Sequence, residues 1–253
     1  MIKLSVVIIT FNEERNIKRC LDSVKNVADE ILVIDSFSKD KTKEICLENQ
    51  ASFIENPFEG HIQQKNFAIQ HSNYDWILSL DADEALTPEL EKSILAIKKN
   101  PELNGYSMNR RTYYCGHWVK YCGWYPDTKI RLINRNFGAW TGVNPHDRLE
   151  LLDKLPVKNL EGDLLHYSYY TREDHLKQIE YFGDIAANEL YKKGKRINWL
   201  TIYAKTIFQF IKSFFLKKGI LDGATGFTIS RLSAYATYRK YVKLLELNKN
   251  ESR

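Results

Sequence analysis

Three carboxylates close an apolar run in Trp76-Ile77-Leu78-Ser79-Leu80-Asp81-Ala82-Asp83-Glu84. Its length and its Ile and Leu content suit a strand inside a covered sheet. The acids then fall at the carboxyl end, where open α/β sheets keep their ligand crevice. Asp81 and Asp83 are two residues apart, and on an extended backbone their side chains share a face. Two hard oxygen ligands there would hold Mg2+ or Mn2+, and through it phosphate oxygens. The plainer alternative is a solvated acidic loop that caps the next helix. Glu84 fits such a capping or loop-lining role better than a metal shell.

The elements that must carry these acids read in order from the start. Leu4 to Thr10 is β-branched and nearly all apolar, a strand covered on both faces. Thr10-Phe11-Asn12-Glu13-Glu14 turns the chain, and Ile17, Leu21 and Val24 recur at helical spacing. Glu30 to Asp35 is a second strand, also ending in an acid, and a polar turn leads to a helix over Thr42 to Asn49. Ser52 to Glu55 is a short third strand, Gln63 to His71 a helix, and the Trp76 strand follows. Strand and helix alternating at this pitch predict βαβ units and a parallel sheet. Neither G-x-G-x-x-G nor G-x-x-x-x-G-K-[ST] occurs, so dinucleotide oxidoreductases and P-loop enzymes are poorly supported. Acids at three strand ends offer another way to hold a nucleotide, by accepting hydrogen bonds from base and ribose.

Residues 105 to 150 mix aromatic and charged side chains, among them Arg110, Tyr113, Trp118, Trp124, Asp127, Trp140 and Arg148. Aromatic faces beside Arg and Asp suit sugar rings, although an aromatic-rich sheet packed on the core accounts for many of them. Trp124 to Asp127 and the following Thr128 to Ile133 read as a loop entering a strand. From about Thr171 the pattern becomes helical, with a helix over Asp174 to Tyr191 and a long aromatic one over Trp199 to Lys218. Lys205 and Lys212 interrupt the latter, and no uncharged run of about 18 residues exists to span a bilayer. It is expected to lie in a membrane interface, or else to pack on the catalytic domain or a second subunit. Leu221 to Phe227 reads as a glycine-punctuated turn, followed by an amphipathic helix to about Leu247 and a frayed end from Asn248 to Arg253.

Composition excludes little. The chain has 253 residues, 43% hydrophobic and 27% charged, as in an ordinary soluble domain. A net charge of +5 suits a polyanionic ligand or an anionic surface, and the strand-end acids argue against nucleic acid. Cys20, Cys46, Cys115 and Cys122 lack the two-by-two spacing of a zinc site and read as reduced intracellular thiols. The short apolar start has no cleavage site and reads as a strand, not a signal peptide.

Ser5 to Glu14, Val33 to Thr42 and Leu80-Asp81-Ala82-Asp83-Glu84 resemble, in order and spacing, family 2 glycosyltransferases of the GT-A fold. The resemblance implies a GT-A (Rossmann-like) domain over 1–170, with a nucleotide-binding half (1–100) and an acceptor half (101–170), and a helical extension over 171–253. It implies nucleotide contacts from Thr10, Phe11, Glu13, Asp35 and Asp81, with a ribose-and-metal role for the Asp81–Asp83 motif. Asp35-Ser36 stands where many relatives carry two acids. Lys65 stands where relatives place a basic residue near the pyrophosphate; a solvated helix lysine is the alternative. Inverting transfer needs a carboxylate base from a separate segment. The family's His-acid dipeptide matches His146-Asp147, and Asp127 competes with Asp147 for that role. His166, in His166-Tyr167-Ser168, corresponds to a third metal ligand, against the alternative of a core imidazole. Trp124, Asp127 and Arg148 are expected to face the acceptor.

Trp124-Tyr125-Pro126-Asp127, the His-acid pair, His166-Tyr167-Ser168 and Leu221-Asp222-Gly223 are further similar to bacterial lipopolysaccharide core glucosyltransferases. That implies transfer of glucose from UDP-glucose to a lipid-linked inner-core saccharide, at the inner face of the cytoplasmic membrane. Transfer to a polyprenyl phosphate or a capsular glycan is the alternative among enzymes. A non-catalytic nucleotide- or carbohydrate-binding module is the alternative outside them.

Overall fold

A computed structural model describes residues 1–143 and 146–250, without the side chain of His146. Eleven strands and seven α-helices are formed among the described residues. In order these are β1 (Leu4–Thr10), α1 (Ile17–Val24), β2 (Glu30–Asp35), α2 (Thr42–Glu48), β3 (Ser52–Glu55), α3 (His61–His71), β4 (Trp76–Asp81) and β5 (Glu84–Leu86). There follow α4 (Pro88–Lys99), β6 (Gly105–Tyr114), β7 (His117–Trp118), β8 (Asp127–Asn134), β9 (Gly138–Val143), β10 (His146–Leu151) and β11 (Lys158–Tyr169). The last helices are α5 (Arg172–Lys192), α6 (Trp199–Ile211) and α7 (Gly223–Asn250).

The main sheet runs β3-β2-β1-β4-β8-β6-β11-β5, with β7 on β6. The expected parallel sheet is only its first half. β2, β1, β4 and β3 pair in parallel, whereas β8 pairs antiparallel to β4 and β5 antiparallel to β11. The physical reason is local: β8 follows no crossover helix, so nothing forces it to run parallel. Helices on a parallel half with a mixed remainder make the GT-A type of α/β fold that the sequence predicted. A separate ribbon joins β9 to β10 in antiparallel register, with Asp147 opposite Gly142.

The chain divides into two compact units: Met1–Arg111 with Asp127–Tyr167, and Thr112–Pro126 with Ser168–Arg253. In the first, Leu4, Val6, Ile8, Leu78 and Leu80 are sealed from solvent against Ile17, Leu21, Leu90 and Ile94. Burying each is worth about 1.5–3 kcal/mol. Thr87 caps α4 by accepting from the Leu90 amide, with Pro88 at the first position and Lys98 and Lys99 in the last turn. In the second unit, Tyr114, Trp124, Tyr169 and His175 pack edge-on or tilted with centroids 4.7–5.9 Å apart. Burial lowers the His175 imidazole to a pKa of about 4. The Leu221–Phe227 stretch is not a turn beyond Gly223, because α7 starts there. Gly226 explains the tight entry: a Cβ there would stand 1.8 Å from the Gly219 carbonyl oxygen.

Candidate active site

β4 ends at Asp81 and the chain turns at Ala82 and Asp83, so the strand alternation expected to align the two acids does not apply. They have different partners. Asp81 lines a cleft of ≈ 570 Å³ together with Lys65, Arg110, Arg131, Trp140, Asp147 and Arg148. Lys65 Nζ lies 3.1 Å from Asp81 Oδ1 and 2.8 Å from Asp147 Oδ2, bridging the end of β4 to β10. Its side chain is buried, so it is not the solvated helix lysine weighed as the alternative. The ammonium also sits 4.1 Å from the centroid of the Trp140 ring, an arrangement that stabilises a desolvated cation. Trp140 is fixed in turn by donating from Nε1 to Ser79 Oγ and by a two-way hydrogen bond between its backbone and Asn66.

Arg131 supplies the second cation. Its Nη2 donates to Glu84 Oε1 at 2.7 Å and to Asp81 Oδ2 at 3.1 Å. Burial by itself would raise the Asp81 carboxyl, but Lys65 and Arg131 outweigh it and hold it well below the usual carboxylate range. Burial likewise opposes the charge on Arg131, and Glu84 and Asp81 more than restore it. Glu84 is buried at the start of β5, accepting from the Asp81 amide at 3.0 Å. It thus acts as a buried counter-ion and as a brace for the Asp81 backbone. The sequence had given it only a capping or loop-lining place.

A second group gathers at the carboxyl ends of β1 and β2. Thr10 pairs with Asp35 across the strands, Phe11 is exposed in the turn, and Asn12 is held at φ 53°. The turn is tied by Asn12 N donating to Ser38 Oγ and Glu13 N to Thr42 Oγ1, both at 2.8 Å. Asp35 is buried and accepts from the Ser38 amide at 2.7 Å, which orders the loop after β2. The Thr10 hydroxyl is buried with no hydrogen-bond partner among the described residues.

Burial pushes the Glu13 carboxyl up from 4.5 to about 7; the Asn16 amide opposes this, and the charges of Asp83, Asp40 and Asp81 add to it. The folded chain therefore binds more protons than the unfolded chain between pH 4.5 and about 7, and stability falls as pH rises through that window. Glu13→Gln should leave the melting temperature unchanged below pH 4.5 and raise it above about pH 7. Melting curves across that range check the prediction; equal shifts at every pH would assign the effect to packing.

Asp83 and His166 form a third group. β5 pairs antiparallel with β11, which sets His166 opposite Glu84 and brings His166 Nε2 to 3.2 Å from Asp83 Oδ2. A carboxylate facing an imidazole is a suitable donor pair for a divalent cation of the Mn2+ type. The three-residue shell expected from the sequence is not assembled. Among the described residues no group of three or more His, Cys, Asp or Glu side chains gathers as a metal-holding cluster. Asp81 is instead engaged by two cations. The donor set that fits a metal is Asp83 with His166.

The residues expected at the acceptor separate. Trp124 belongs to the second unit and packs in its aromatic core. Asp127 is gripped by Arg110, which donates from Nε at 3.0 Å and Nη2 at 2.8 Å, and by Lys129. Burial works against the charge of Asp127, and Arg110 more than compensates, leaving the carboxyl below its ordinary value. Arg148 lines the cleft from an exposed position beside Glu150. Sequence reasoning missed the central place of Arg131. The available signal was a lone arginine within Ile130-Arg131-Leu132-Ile133, since a charge inside an apolar strand requires a buried partner.

The chain is also similar in sequence to known proteins. Residues 5–149 match the family model of Glycosyl transferase family 2. An uncharacterised glycosyltransferase of Rickettsia typhi is 31% identical, over 98% of this chain and 88% of that protein. A lipopolysaccharide core biosynthesis glycosyltransferase of Rhizobium meliloti is 24% identical, over 94% and 93%. Among solved structures, glucosyl-3-phosphoglycerate synthase from Mycobacterium tuberculosis, in complex with Mn2+, UDP and phosphoglyceric acid, is 20% identical with a TM-score of 0.37. It covers 46% of this chain and 44% of that one, too distant a likeness to carry an argument. With the family matched over more than half its length and a relative 31% identical across nearly all of it, the chain belongs to glycosyl transferase family 2.

Proposed function

We propose that the protein is an inverting hexosyltransferase that moves glucose from UDP-glucose to a lipid-linked saccharide of the lipopolysaccharide core, at the cytoplasmic face of the membrane. The observation that carries this reading is Lys65, one buried ammonium shared by Asp81 and Asp147. Asp81 stands at the strand end where a donor diphosphate is expected, and Asp147 comes from a separate segment, as a base opposite the leaving group must. In the reaction, the acceptor oxygen bonds to the anomeric carbon as the bond to the diphosphate oxygen breaks. Asp147 takes the acceptor's proton. The turn of Phe11 to Glu13, with Asp35, serves the base and ribose. Asp83 and His166 are the residues that would hold Mg2+ or Mn2+. A cation there would neutralise charge on the departing diphosphate. Arg148 and the Arg110–Asp127 pair stand where an acceptor would meet the cleft.

A lipopolysaccharide core acceptor is supported by the Rhizobium meliloti relative, whose name places it in lipopolysaccharide core biosynthesis. The test is a hydrolysis screen over nucleotide sugars with and without Mg2+ or Mn2+, run with melting curves. UDP-glucose should turn over preferentially and only with metal, and UDP with Mn2+ should raise the melting temperature. Turnover of another sugar would reassign the donor. No turnover, with no shift from any nucleotide, would sink the transferase reading.

A further inference from the structure

The second unit presents a face that the transfer chemistry does not use. Between Glu189 and Asp222 the chain has no acidic residue but eight basic ones, four in the joint before α6 (Lys192, Lys193, Lys195, Arg196) and four along α6 and the segment after it (Lys205, Lys212, Lys217, Lys218). All eight are exposed. Among them α6 turns Ile202 inward and leaves large apolar side chains in water. Leu200 is 80% exposed, Ile207 59% and Phe208 58%, with Phe215 at 55% and Leu216 at 65% just beyond. A soluble monomer rarely leaves so continuous an apolar strip uncovered.

The chemistry of what covers it follows from charge and length. Asp222, the acid that ends the stretch, is turned inward: its carboxylate accepts from the Tyr121 amide at 2.8 Å and the Lys120 amide at 3.2 Å, and faces His117 Nε2. The strip is therefore apolar in the middle, basic at its edges and free of exposed acids. α6 has 13 residues, about 20 Å, short of the roughly 30 Å hydrocarbon core. No helix among the described residues is long and apolar enough to cross a membrane. A second copy is a poor partner, because a two-fold interface would set basic edges against each other with no acid to answer them. An apolar helix side rimmed by lysines fits the interfacial plane of a bilayer with anionic headgroups.

We propose that α6 and the segment after it lie in the surface of an anionic bilayer, with Leu200, Ile207 and Phe208 in the acyl boundary and Lys205 and Lys212 at the headgroups. This deepens the lipid-linked acceptor reading, yet it stands on the helix and not on the transfer site. The test uses the full chain in vesicle sedimentation, with phosphatidylcholine alone or with about a third phosphatidylglycerol. Binding to the anionic vesicles should be at least about tenfold tighter and should weaken with added salt. Ile207→Asp with Phe208→Asp should abolish binding, and Lys205→Glu with Lys212→Glu should remove the preference for phosphatidylglycerol. Both exposed pairs should keep the wild-type melting temperature and UDP-glucose hydrolysis. Absent hydrolysis with intact vesicle binding would overturn the transferase reading and leave the docking standing. Equal affinity for neutral vesicles would overturn the docking proposal. So would no vesicle binding, or a dimer in solution that the aspartate pair dissociates.

Discussion

Asp147→Asn should reduce sugar transfer by about 10²–10⁴-fold while leaving donor affinity near wild type. The change keeps size and shape and leaves the amide oxygen to accept from Lys65 Nζ, now 2.8 Å from Asp147 Oδ2. What disappears is the ability to take a proton, worth about 3–5 kcal/mol of barrier at that rate loss. In the proposed site the donor contacts come from other segments, so calorimetric titration with UDP should move little. Asp127→Asn is the internal control, because Asp127 competes for the same role. Arg110 and Lys129 already grip Asp127, which suits a positioning acid, and its loss should cost less. If Asp127→Asn proves the more damaging of the two, the base is reassigned to it. Near wild-type transfer by Asp147→Asn would remove Asp147 from the chemistry.

Arg131→Met carries the largest expected effect on stability. Arg131 and Glu84 are both buried, and the guanidinium is shared with Asp81. Removing one partner of a buried pair leaves an uncompensated charge and typically costs about 3–5 kcal/mol. The remaining cation near Glu84 is Arg110, whose Nη1 stands 3.5 Å from Glu84 Oε1, too far to replace the 2.7 Å contact without movement. Urea unfolding should show the loss as a lower midpoint with an unchanged slope. Adding Glu84→Gln should recover part of it, since the orphaned charge is gone while the amide oxygen can still accept from the Asp81 backbone at Glu84 Oε2. Additive losses in the double variant would show that Arg131 and Glu84 are not coupled.

The order β1-α1-β2-α2-β3-α3-β4 was legible in the chain because α1 buries one face at helical spacing, while β1 and β4 are covered on both faces and read as apolar runs. The acids that end β2 and β4, Asp35 and Asp81, could be placed for the same reason, since a strand that ends in a carboxylate marks its own edge, and Glu13 lies in the turn after β1. Turn Thr10–Glu14 and the Leu80–Glu84 motif also carry the family, which is why it is readable in the sequence itself. The antiparallel half was harder, because β8 and β11 mix apolar and charged residues and their pairing directions depend on distant partners.

What three-dimensional structure alone decided is how the charges pair. Alternation along an extended strand predicted that Asp81 and Asp83 act together, but the strand stops at Asp81 and the turn sends them to different partners. Asp81 joins Lys65 and Arg131; Asp83 joins His166. Lys65 meets Asp147 across 82 residues and Arg131 meets Glu84 across 47. No local spacing encodes such contacts, because each arises from where a strand end, a helix side and the β9–β10 ribbon meet on the folded sheet. The sequence by itself determined the fold type, the family and the acidic strand ends. The cation network, including the bridge from Asp81 to Asp147, belongs to the tertiary structure, since the burial of Lys65 and Arg131 makes those pairs necessary.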